Sequence, residues 1–210
     1  MSSSDRVEAG PQFVPPEILP AGWLRCRLIE EGDVARLYDT VVASQVDLRQ
    51  WMPWAADDYT IDMAEEFISA QLRPDGQLAA EAVYVPYDAD HPFLGSFGLH
   101  ARLGPGVLEI GYWVDSRQTR RGVATLTTAL LTEAALSIPG IDRVEIHHDE
   151  ANRASGGVPR RLGYTLIDSV KREPEAPGEI GVNCQWQLHR SDWPSSAGAQ
   201  LLTSVRAASQ

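Results

Sequence analysis

The stretch from Leu108 to Thr125 constrains the fold most, because its hydrophobic pattern changes from alternating to helical across one short loop. Its first part alternates apolar and polar residues and is rich in aromatic and β-branched side chains, which is typical of a strand. A polar, basic segment comes next. From Gly122 onward, apolar residues recur at spacings of three and four, as on one face of an amphipathic helix. The sequence therefore predicts a strand, a short loop and a helix in direct succession.

The loop in this stretch predicts an anion-binding site. The first backbone N–H groups of a helix have no partner inside the helix, and they carry the positive end of its dipole. Gly122 allows a sharp turn, and the small side chain of Ala124 lets a phosphate approach the backbone. The segment has neither the P-loop pattern nor a full G-x-G-x-x-G. The alternative interpretation is an ordinary helix start made of small residues.

Composition and charge limit the class of protein. The chain has 210 residues, enough for one domain with a hydrophobic core, and its hydrophobic content of 43% with six tryptophans excludes intrinsic disorder. The formal net charge of -11 argues against a nucleic-acid partner, which requires a basic face. It suits a cationic substrate such as an amine, although acidic surfaces often serve solubility alone. The local basic cluster of Arg117, Arg120 and Arg121 suits one phosphate-bearing ligand.

The two cysteines, Cys26 and Cys184, lie far apart and form no metal-binding or redox spacing, so we expect no metal site. The first ten residues lack the apolar core of a secretory leader, and no run of apolar residues is long enough to cross a membrane. We therefore expect a reduced, cytoplasmic protein without a membrane partner.

The chain divides into a predicted domain at residues 21–194 and two flanking segments. Residues 1–20 contain four prolines and predict a flexible segment. Residues 195–210 are polar and small, and they predict a disordered tail or a short helix. Within the domain, strands are predicted at 23–29 (a sheet edge), 81–87, 93–100, 108–114, 143–148, 164–171 and 182–189. Helices are predicted from 34 with Asp33 as N-cap, from 61 with Thr60 as N-cap and closed at 74–76, at 122–137 and at 152–162.

This order of elements predicts an α+β fold. The connectors around residues 88–92 and 103–106 are short and rich in turn formers, so the strands they join are expected to pair antiparallel. The helix at 122–137 joins strands 108–114 and 143–148 by a right-handed crossover, which makes those two strands parallel. The result is a single domain with a mixed, mostly antiparallel sheet, a central βαβ crossover and flanking helices.

A second motif lies in ANRASGGVPRRLGY, residues 151–164. Asn152 and Ser155, followed by Gly163 and Tyr164, have the spacing of the second motif of the GNAT superfamily of N-acetyltransferases. The loop at Gly122 and Ala124 also resembles the acyl-CoA loop of that superfamily. The first loop position of that family is Gln or Arg and is Thr119 here, a departure. With LRQWMPW and EIGYWV upstream, the chain resembles the branch that includes ribosomal-protein serine and alanine N-terminal acetyltransferases.

This resemblance implies a GNAT-like fold, acetyl-CoA as cofactor and acetyl transfer to a primary amine by direct attack in a ternary complex. The acceptor would be a protein N-terminus or a small amine. Similar enzymes are often dimers, which leaves a homodimer open, although no interface pattern is visible. The implied cofactor-binding residues are Trp113, Val114, Thr119, Arg120, Arg121, Gly122, Val123, Ala124, Thr125, Asn152 and Ser155.

The resemblance also suggests catalytic residues. Many relatives use a tyrosine four residues after the Ser155 position, but Pro159 stands there, so Ser155 itself is the predicted general acid, as in the serine-acetylating branch. The alternative is a helix-start serine that binds backbone or pantetheine. Asn152 is expected to bind the cofactor or to bridge the separating strands; the alternative is a plain N-cap of the following helix, and both can hold. Glu109 is the predicted general base, with a solvated strand carboxylate as the alternative.

The remaining candidates concern the acceptor. His147 and His148 lie at the end of a strand, where ligands of such sheets bind. Either could act as a base, and the alternative is that they are strand-end histidines with satisfied hydrogen bonds. Trp51, Trp54, Tyr112 and His147 are predicted to contact the acceptor amine, and for the tryptophans simple packing is the alternative. A competing function is a CoA-binding regulatory module without catalysis, because Pro159 and Thr119 depart from the family pattern and no base is unambiguous.

Overall fold

A computed structural model describes residues 18–55, 58–72 and 81–209. In this part of the chain, eight strands form one sheet in the order β1-β2-β3-β4-β5-β6-β8-β7. The strands are β1 (Ile18–Ala21), β2 (Leu24–Leu28), β3 (Glu81–Tyr87), β4 (Gly95–His100), β5 (Val107–Val114), β6 (Arg143–Asp149), β7 (Thr165–Lys171) and β8 (Val182–His189). The helices are α1 (Val34–Leu48), α2 (Ile61–Gln71), α3 (Val123–Ser137), α4 (Arg153–Leu162) and α5 (Ala197–Ala207).

The sheet topology confirms the predicted α+β class. β5 and β6 pair parallel and are joined by α3, whereas the other neighbouring strands pair antiparallel. The predicted crossover and both predicted hairpins are therefore present. Because β5 lies in the middle of the order, residues at its C-terminal end can meet side chains from both halves of the sheet.

Each face of the sheet carries its own hydrophobic core. On one face, α3 and α5 pack against alternate residues of the central strands, with Leu108, Ile110 and Ile146 fully buried. On the other face, α1 and α2 pack against Val83 and Val85 of β3. Because side chains alternate along a strand, the remaining residues of β5 and β6, including Glu109 and His147, point to the face that α1 and α2 cover.

The sheet edge differs from the prediction. Residues 23–29 were expected to form the edge, but β2 lies between β1 and β3, because Ile18–Ala21 pair antiparallel with residues 24–27. The proline-rich composition of residues 1–20 concealed this short strand, since a proline on an edge strand costs the sheet little. The remainder of the predicted flexible segment, residues 1–17, lies outside the described residues.

Helix starts agree with the prediction with one exception. The Thr60 side chain accepts a hydrogen bond from the N–H of Met63 and caps α2 as expected. Asp33 occupies the N-cap position of α1, but its buried carboxylate instead accepts bonds of 2.6 and 2.7 Å from Arg27. A bidentate arginine is the stronger partner for a buried carboxylate. The predicted turn at 74–76 lies outside the described residues.

The C-terminal segment was predicted to be either disordered or a short helix, and it forms a helix. Ser196 caps α5 by accepting a bond from the N–H of Ala199, and Leu202 is fully buried in the main core. The disordered alternative is wrong for residues up to 209, because α5 packs on α3 and β1 and thereby belongs to the domain. Within the described ranges, every helix is too short or too polar to span a bilayer.

Candidate functional site

A large cavity lies on the sheet face that α1 and α2 cover, with a volume of about 960 Å³. Its walls come from α2 and the segment before it, from the C-terminal parts of β4, β5 and β6, from the start of α4 and from the β7–β8 loop. Many of the residues singled out by the sequence analysis line it together: Trp51, Trp54, Glu109, Tyr112, Trp113, His147, His148, Asn152 and Ser155. Residues separated by as much as half of the chain therefore form one site.

The pairing between the two central parallel strands is short. Residues 107–109 of β5 pair with residues 143–145 of β6. β5 then continues to pair with β4 as far as Val114, and β6 with β8 as far as Asp149. β5 and β6 therefore separate toward their C-terminal ends, near the starts of α3 and α4. Backbone groups that face such a gap are not matched by a neighbouring strand and can bind a ligand instead.

The loop before α3 (residues 119–122) has the geometry that an anion requires. Gly122 is the N-cap residue of α3 in the left-handed conformation, with φ 84, and no side chain caps the helix. A Cβ atom added at Gly122 would meet nothing within 4 Å, so the space beside this backbone is open. Arg120 is a second left-handed residue, with φ 64. The first N–H groups of α3 are thus directed at open space.

Arg121 holds this loop against the β3–β4 hairpin. Its guanidinium donates to Asp88 Oδ2 at 2.8 Å and to Gln118 Oε1, and it stacks 5.4 Å from the ring centre of Trp23. Burial raises the pKa of Asp88, but hydrogen bonds from His91, from nearby backbone N–H groups and from Arg121 outweigh it and lower the pKa to about 2. Asp88 therefore stays ionised, and Arg121 acts as a support of the loop.

The other two arginines of the predicted basic cluster, Arg117 and Arg120, differ from each other. Arg117 donates to both carboxylate oxygens of the buried Asp115, at 2.7 to 3.1 Å, so it too supports the loop. Arg120 is exposed, and within the described residues its side chain makes no hydrogen bond or ion pair. Of the predicted basic cluster, Arg120 is the member whose charge is available to a ligand.

The start of α4 brings Asn152 and Ser155 to the cavity. Asn152 Oδ1 accepts from the N–H of Ser155 at 3.1 Å, which is the N-cap role considered for it. The Ser155 hydroxyl donates to the Tyr112 hydroxyl at 3.2 Å, and Tyr112 donates in turn to the Ser155 carbonyl at 3.0 Å. The Tyr112 ring stacks on Phe97, with ring centres 5.6 Å apart. Burial raises the pKa of the Tyr112 phenol, so this hydroxyl stays protonated.

Glu109 lies on the cavity face of β5 and is almost fully buried. Both of its carboxylate oxygens accept hydrogen bonds of 2.7 Å from Arg102. Burial raises the pKa of Glu109, but the hydrogen bonds and charge of Arg102, with smaller contributions from His147 and His100, outweigh it and lower the pKa. A carboxylate held in this way is a weak proton acceptor, which weighs against the predicted role of general base.

His147 and His148 point to opposite faces of β6, as the period of a strand requires. His147 Nε2 donates to Glu145 Oε2 at 2.9 Å on the cavity face. His148 Nδ1 donates to the Asp149 carbonyl at 2.7 Å, and its Nε2 accepts from the indole of Trp186 at 2.9 Å. Because both ring nitrogens are used and burial lowers the pKa of His148, this ring is a neutral, satisfied histidine.

Aromatic side chains from the segment before α2, from β5 and from the residues before β4 form one wall of the cavity. Trp54 contacts Tyr59 and Trp113, with ring centres 6.0 and 6.1 Å apart, and Trp113 also contacts Phe93. Trp54 remains 41% exposed although it lines the cavity. A large, exposed aromatic at a cavity mouth is suited to contact a ligand as well as to pack.

The β7–β8 loop (residues 172–181, here called the strap) connects two rims of the cavity. The N–H of Gly178 donates to the carbonyl of Gln50 at 2.8 Å, and a Cβ at Gly178 would lie 3.1 Å from the Trp51 ring. At its far end, Asp149 accepts from the N–H groups of residues 180, 181 and 182 at 2.9 to 3.1 Å. Arg172 pairs with Glu179 at 2.6 Å inside the strap.

The remaining predicted cofactor residues lie at the end of β5 and around the loop before α3. Val114 ends β5, and Thr119, Arg120, Arg121 and Gly122 form the loop. Val123, Ala124 and Thr125 make the first turn of α3, where the Val123 side chain is buried in the core and only its main chain can face a ligand. The loop and the cavity flank the separated ends of β5 and β6.

Sequence reasoning missed His100 and Arg102, which also line the cavity, and the whole strap. The alternation of β4 carried a signal for His100, because it lies two residues after Gly98 and thus on the same face. We call the cavity-facing residues of the three central strands the floor: Gly98, His100, Glu109, Gly111 and His147. No local pattern indicates the Arg102–Glu109 pair, since it depends on how a turn folds back onto a strand.

Comparison with known sequences identifies a match over most of the domain. Residues 24–165 match the sequence profile of the family described as the acetyltransferase (GNAT) domain. The chain is also 27% identical over 140 residues to the Bacillus subtilis (strain 168) protein YdaF, which carries the name of a ribosomal N-acetyltransferase; the match covers 66% of this chain and 75% of that protein.

Comparison with solved structures gives the same fold. Mycobacterium smegmatis RimJ in complex with CoA-disulfide superposes with a TM-score of 0.74 at 22% identity, covering 91% of this chain and 93% of RimJ. RimL, a ribosomal L7/L12 alpha-N-protein acetyltransferase solved with coenzyme A, gives 0.73 at 21% identity, covering 82% of this chain and 98% of RimL. These identities are low enough that the structural matches report on the fold alone.

Proposed function

The chain belongs to the GNAT family of acetyltransferases, which use acetyl-CoA, and we propose that this member acetylates the primary amine of a protein N-terminus by direct attack in a ternary complex. The observation that carries the proposal is that two parts of the site lie next to the same gap in the sheet. The open helix start at Gly122 and the Ser155–Tyr112 pair stand on either side of the separating strands β5 and β6. A cofactor held at one therefore reaches the other.

The loop before α3 fits the phosphates of this cofactor. The helix start has no side-chain cap, the space beside Gly122 is open, and the Arg120 side chain is exposed. Backbone N–H groups, the helix dipole and one cation together suit a pyrophosphate. We assign this role to residues 119–125, chiefly through their main chain, with Arg121 fixing the loop. Thr119 in place of Gln or Arg changes a side chain and leaves these N–H groups intact.

The end of β5 is suited to hold the reactive part of the cofactor. When bound, acetyl-CoA supplies an acetyl group on a thioester whose carbonyl carbon an amine can attack. The N–H groups of residues 112 and 114 are directed at the gap, since the N–H of Asp115 donates to Leu94 on the β4 side and alternate N–H groups of a strand share a side. They are our candidates for stabilising the negative charge that develops on the carbonyl oxygen. Asn152 fixes the first turn of α4 and thereby the position of Ser155.

Ser155 is our candidate for the group that protonates the leaving thiolate. Its hydroxyl lines the cavity and is held in a reciprocal pair with Tyr112. The Tyr112 phenol stays protonated, accepts from the Ser155 hydroxyl and donates to the Ser155 carbonyl, so it fixes the position of that hydroxyl. This arrangement gives Tyr112 a positioning role rather than the direct contact with the acceptor that the sequence suggested. Pro159, at the usual tyrosine position of the family, is buried in α4.

The acceptor side of the cavity suits an amine carried on a chain. Carboxylates outnumber arginines along its lining, with Glu66, Glu109, Asp149, Glu175 and Glu179 against Arg102 and Arg172, so a cationic group is attracted. The aromatic wall offers apolar contact beside it. The relatives' names, a ribosomal N-acetyltransferase and an L7/L12 alpha-N-protein acetyltransferase, support a protein N-terminus over a small amine.

The test is an acceptor panel with the full chain. Peptides beginning with serine or alanine, the same peptides with a blocked N-terminus, and small primary amines are incubated with acetyl-CoA, and products are identified by mass and by thiol release. We expect acetylation of the free peptide N-termini only. Turnover of small amines alone would contradict the protein acceptor. Calorimetric binding of acetyl-CoA without turnover of any amine would instead indicate the regulatory module that Pro159 and Thr119 suggested.

A further inference from the structure

The floor contains two glycines that face each other across neighbouring strands, and both leave room for the imidazole ring of His100. Gly98 of β4 pairs with Gly111 of β5. A Cβ at Gly98 would collide with Nε2 and Cε1 of His100, and a Cβ at Gly111 would lie 3.1 Å from His100 Nε2. The ring thus lies over the pair. Any other residue at Gly98 would displace it, so the sheet is shaped around this side chain.

The position of the ring relates it to the reaction. His100 pairs across the strands with Glu109, and from there its ring extends toward Gly111. Gly111 directly precedes Tyr112, whose side chain leaves the opposite face of β5 and holds Ser155 beside the gap between β5 and β6. His100 also lines the cavity. Its Nε2 therefore lies over the strand that leads to the proposed acyl site.

The other candidate bases are less well placed. Both oxygens of Glu109 are held by Arg102, and both ring nitrogens of His148 are used. His147 is oriented by Glu145, but it stands on β6 beyond the last residue that pairs with β5, where the two strands separate. Among the histidines that line the cavity, His100 is the one whose ring lies over β5.

We propose that His100 is a catalytic residue that takes the first proton from the acceptor ammonium group; this inference rests on the proposed function. One N–H bond of the ammonium breaks, its proton moves to His100 Nε2, and the freed lone pair forms the new C–N bond. The C–S bond then breaks. Ser155 donates its hydroxyl proton to the thiolate, and the second proton that the nitrogen loses restores the Ser155 hydroxyl. The proton on His100 leaves to solvent after turnover.

The surrounding charges suit a ring that becomes positive. The Glu109 carboxylate is the cross-strand neighbour of His100, and it is paired with the Arg102 guanidinium. His147, on β6, is paired with Glu145. A carboxylate beside the imidazole stabilises the protonated form after proton transfer. Glu109 therefore assists as a positioning group.

The experiment compares His100→Gln with His147→Gln in the full chain, using the best peptide of the acceptor panel. His100→Gln is expected to lower kcat on the order of a hundredfold or more and to remove the fall of kcat/KM on acidification, with calorimetric affinity for acetyl-CoA unchanged. His147→Gln is expected to change kcat less than about tenfold. The reverse ranking, or an active His100→Gln enzyme, would overturn the assignment. A wild-type enzyme that acetylates no amine would refute the proposed function itself, and His100 with it.

A second variant tests the geometry without relying on the imidazole's chemistry. Gly98→Ala is expected to displace the His100 ring and lower kcat by about tenfold or more, whereas Gly98→Ala in the His100→Gln background should cause no further loss. Independent, multiplying losses would mean that Gly98 does not act through His100. The matched control is Gly32→Ala, where a Cβ meets nothing within 4 Å. Circular dichroism and urea unfolding confirm that each variant is folded.

Discussion

The loop before α3 follows β5 in the chain, the floor of the cavity lies on β4, β5 and β6, and the two regions are built in different ways. The loop presents main-chain groups: its key residue has no side chain, its φ is positive, and the space beside it is open. The floor presents side chains, and nearly every charge on it is paired, with Glu109 held by Arg102 and His147 by Glu145. The first region depends on backbone conformation and the second on cross-strand register.

This difference separates two kinds of function. A site made of N–H groups at a helix start binds any suitable anion and tolerates changes in most side chains around it. A site made of paired side chains fixes the position of each proton donor and acceptor, so one substitution alters the chemistry. Changes in the loop should therefore appear in cofactor affinity, and changes around the floor and Ser155 in kcat.

The largest expected effect is on the catalytic side. Ser155→Ala removes the proposed proton donor and should lower kcat on the order of a hundredfold, with acetyl-CoA affinity changed less than about threefold. Steady-state kinetics and calorimetry measure the two quantities separately. Tyr112→Phe is the companion variant: it keeps the ring stacked on Phe97, leaves Ser155 its hydroxyl and should cost about tenfold. An unchanged kcat in Ser155→Ala would exclude Ser155 as the acid.

A smaller effect is expected in the loop. Gly122→Ala places a methyl group in the open space assigned to the phosphates and should weaken acetyl-CoA binding about tenfold, or ~1.4 kcal/mol. Gly140→Ala is a matched control, because Gly140 has φ 85 and also nothing within 4 Å of a Cβ. Both variants should lose about 1 kcal/mol of stability from left-handed strain. Equal cofactor affinity in the two would contradict the loop assignment and remove the contrast between loop and floor.

The smallest effect concerns the Asp88–Arg121 pair, which holds the loop before α3 in place. Because the pKa of Asp88 is lowered to about 2, its contribution to stability is present above the ordinary aspartate value and is lost as the pH falls through the folded value. Asp88→Asn should be less stable than wild type near neutral pH, and the difference should narrow as the pH is lowered toward about 3. Urea unfolding at both pH values measures it, with the exposed neighbour Asp90→Asn as the control. A stability difference between Asp88→Asn and wild type that stays constant with pH would contradict an ionised Asp88 in the folded protein.

The parts of the site that the sequence predicted are local in the chain. Gly122 at the start of α3, Asn152 as the cap of α4 and Gly163 as its left-handed end each depend on a few neighbouring residues. Such signals are readable because cap and turn geometry restricts residue type directly. Tyr164 of the same motif is structural, since its buried hydroxyl bonds to Thr132 at 2.6 Å.

The parts that were not predicted depend on register and on long-range contact. That Gly98 faces Gly111, and that Arg102 folds back onto Glu109, is determined only once β4 and β5 are paired. A shift of one residue would send these side chains to the opposite face, so hydrophobic pattern alone cannot place them. The same reason explains why sequence alone could not decide between helix and disorder at the C-terminus: Leu202 is buried only because α3 and β1 lie beneath it.

The strap has a consequence for how an acceptor arrives. The bond from Gly178 to Gln50 joins the strap to the segment before α2, so the strap spans part of the cavity. Pro174 and Pro177 stiffen this span, and Asp149 fastens its far end. An amine that enters beneath the strap is best carried on a narrow chain. We expect the enzyme to select acceptors by the slenderness of the chain that carries the amine, before any side chain is recognised.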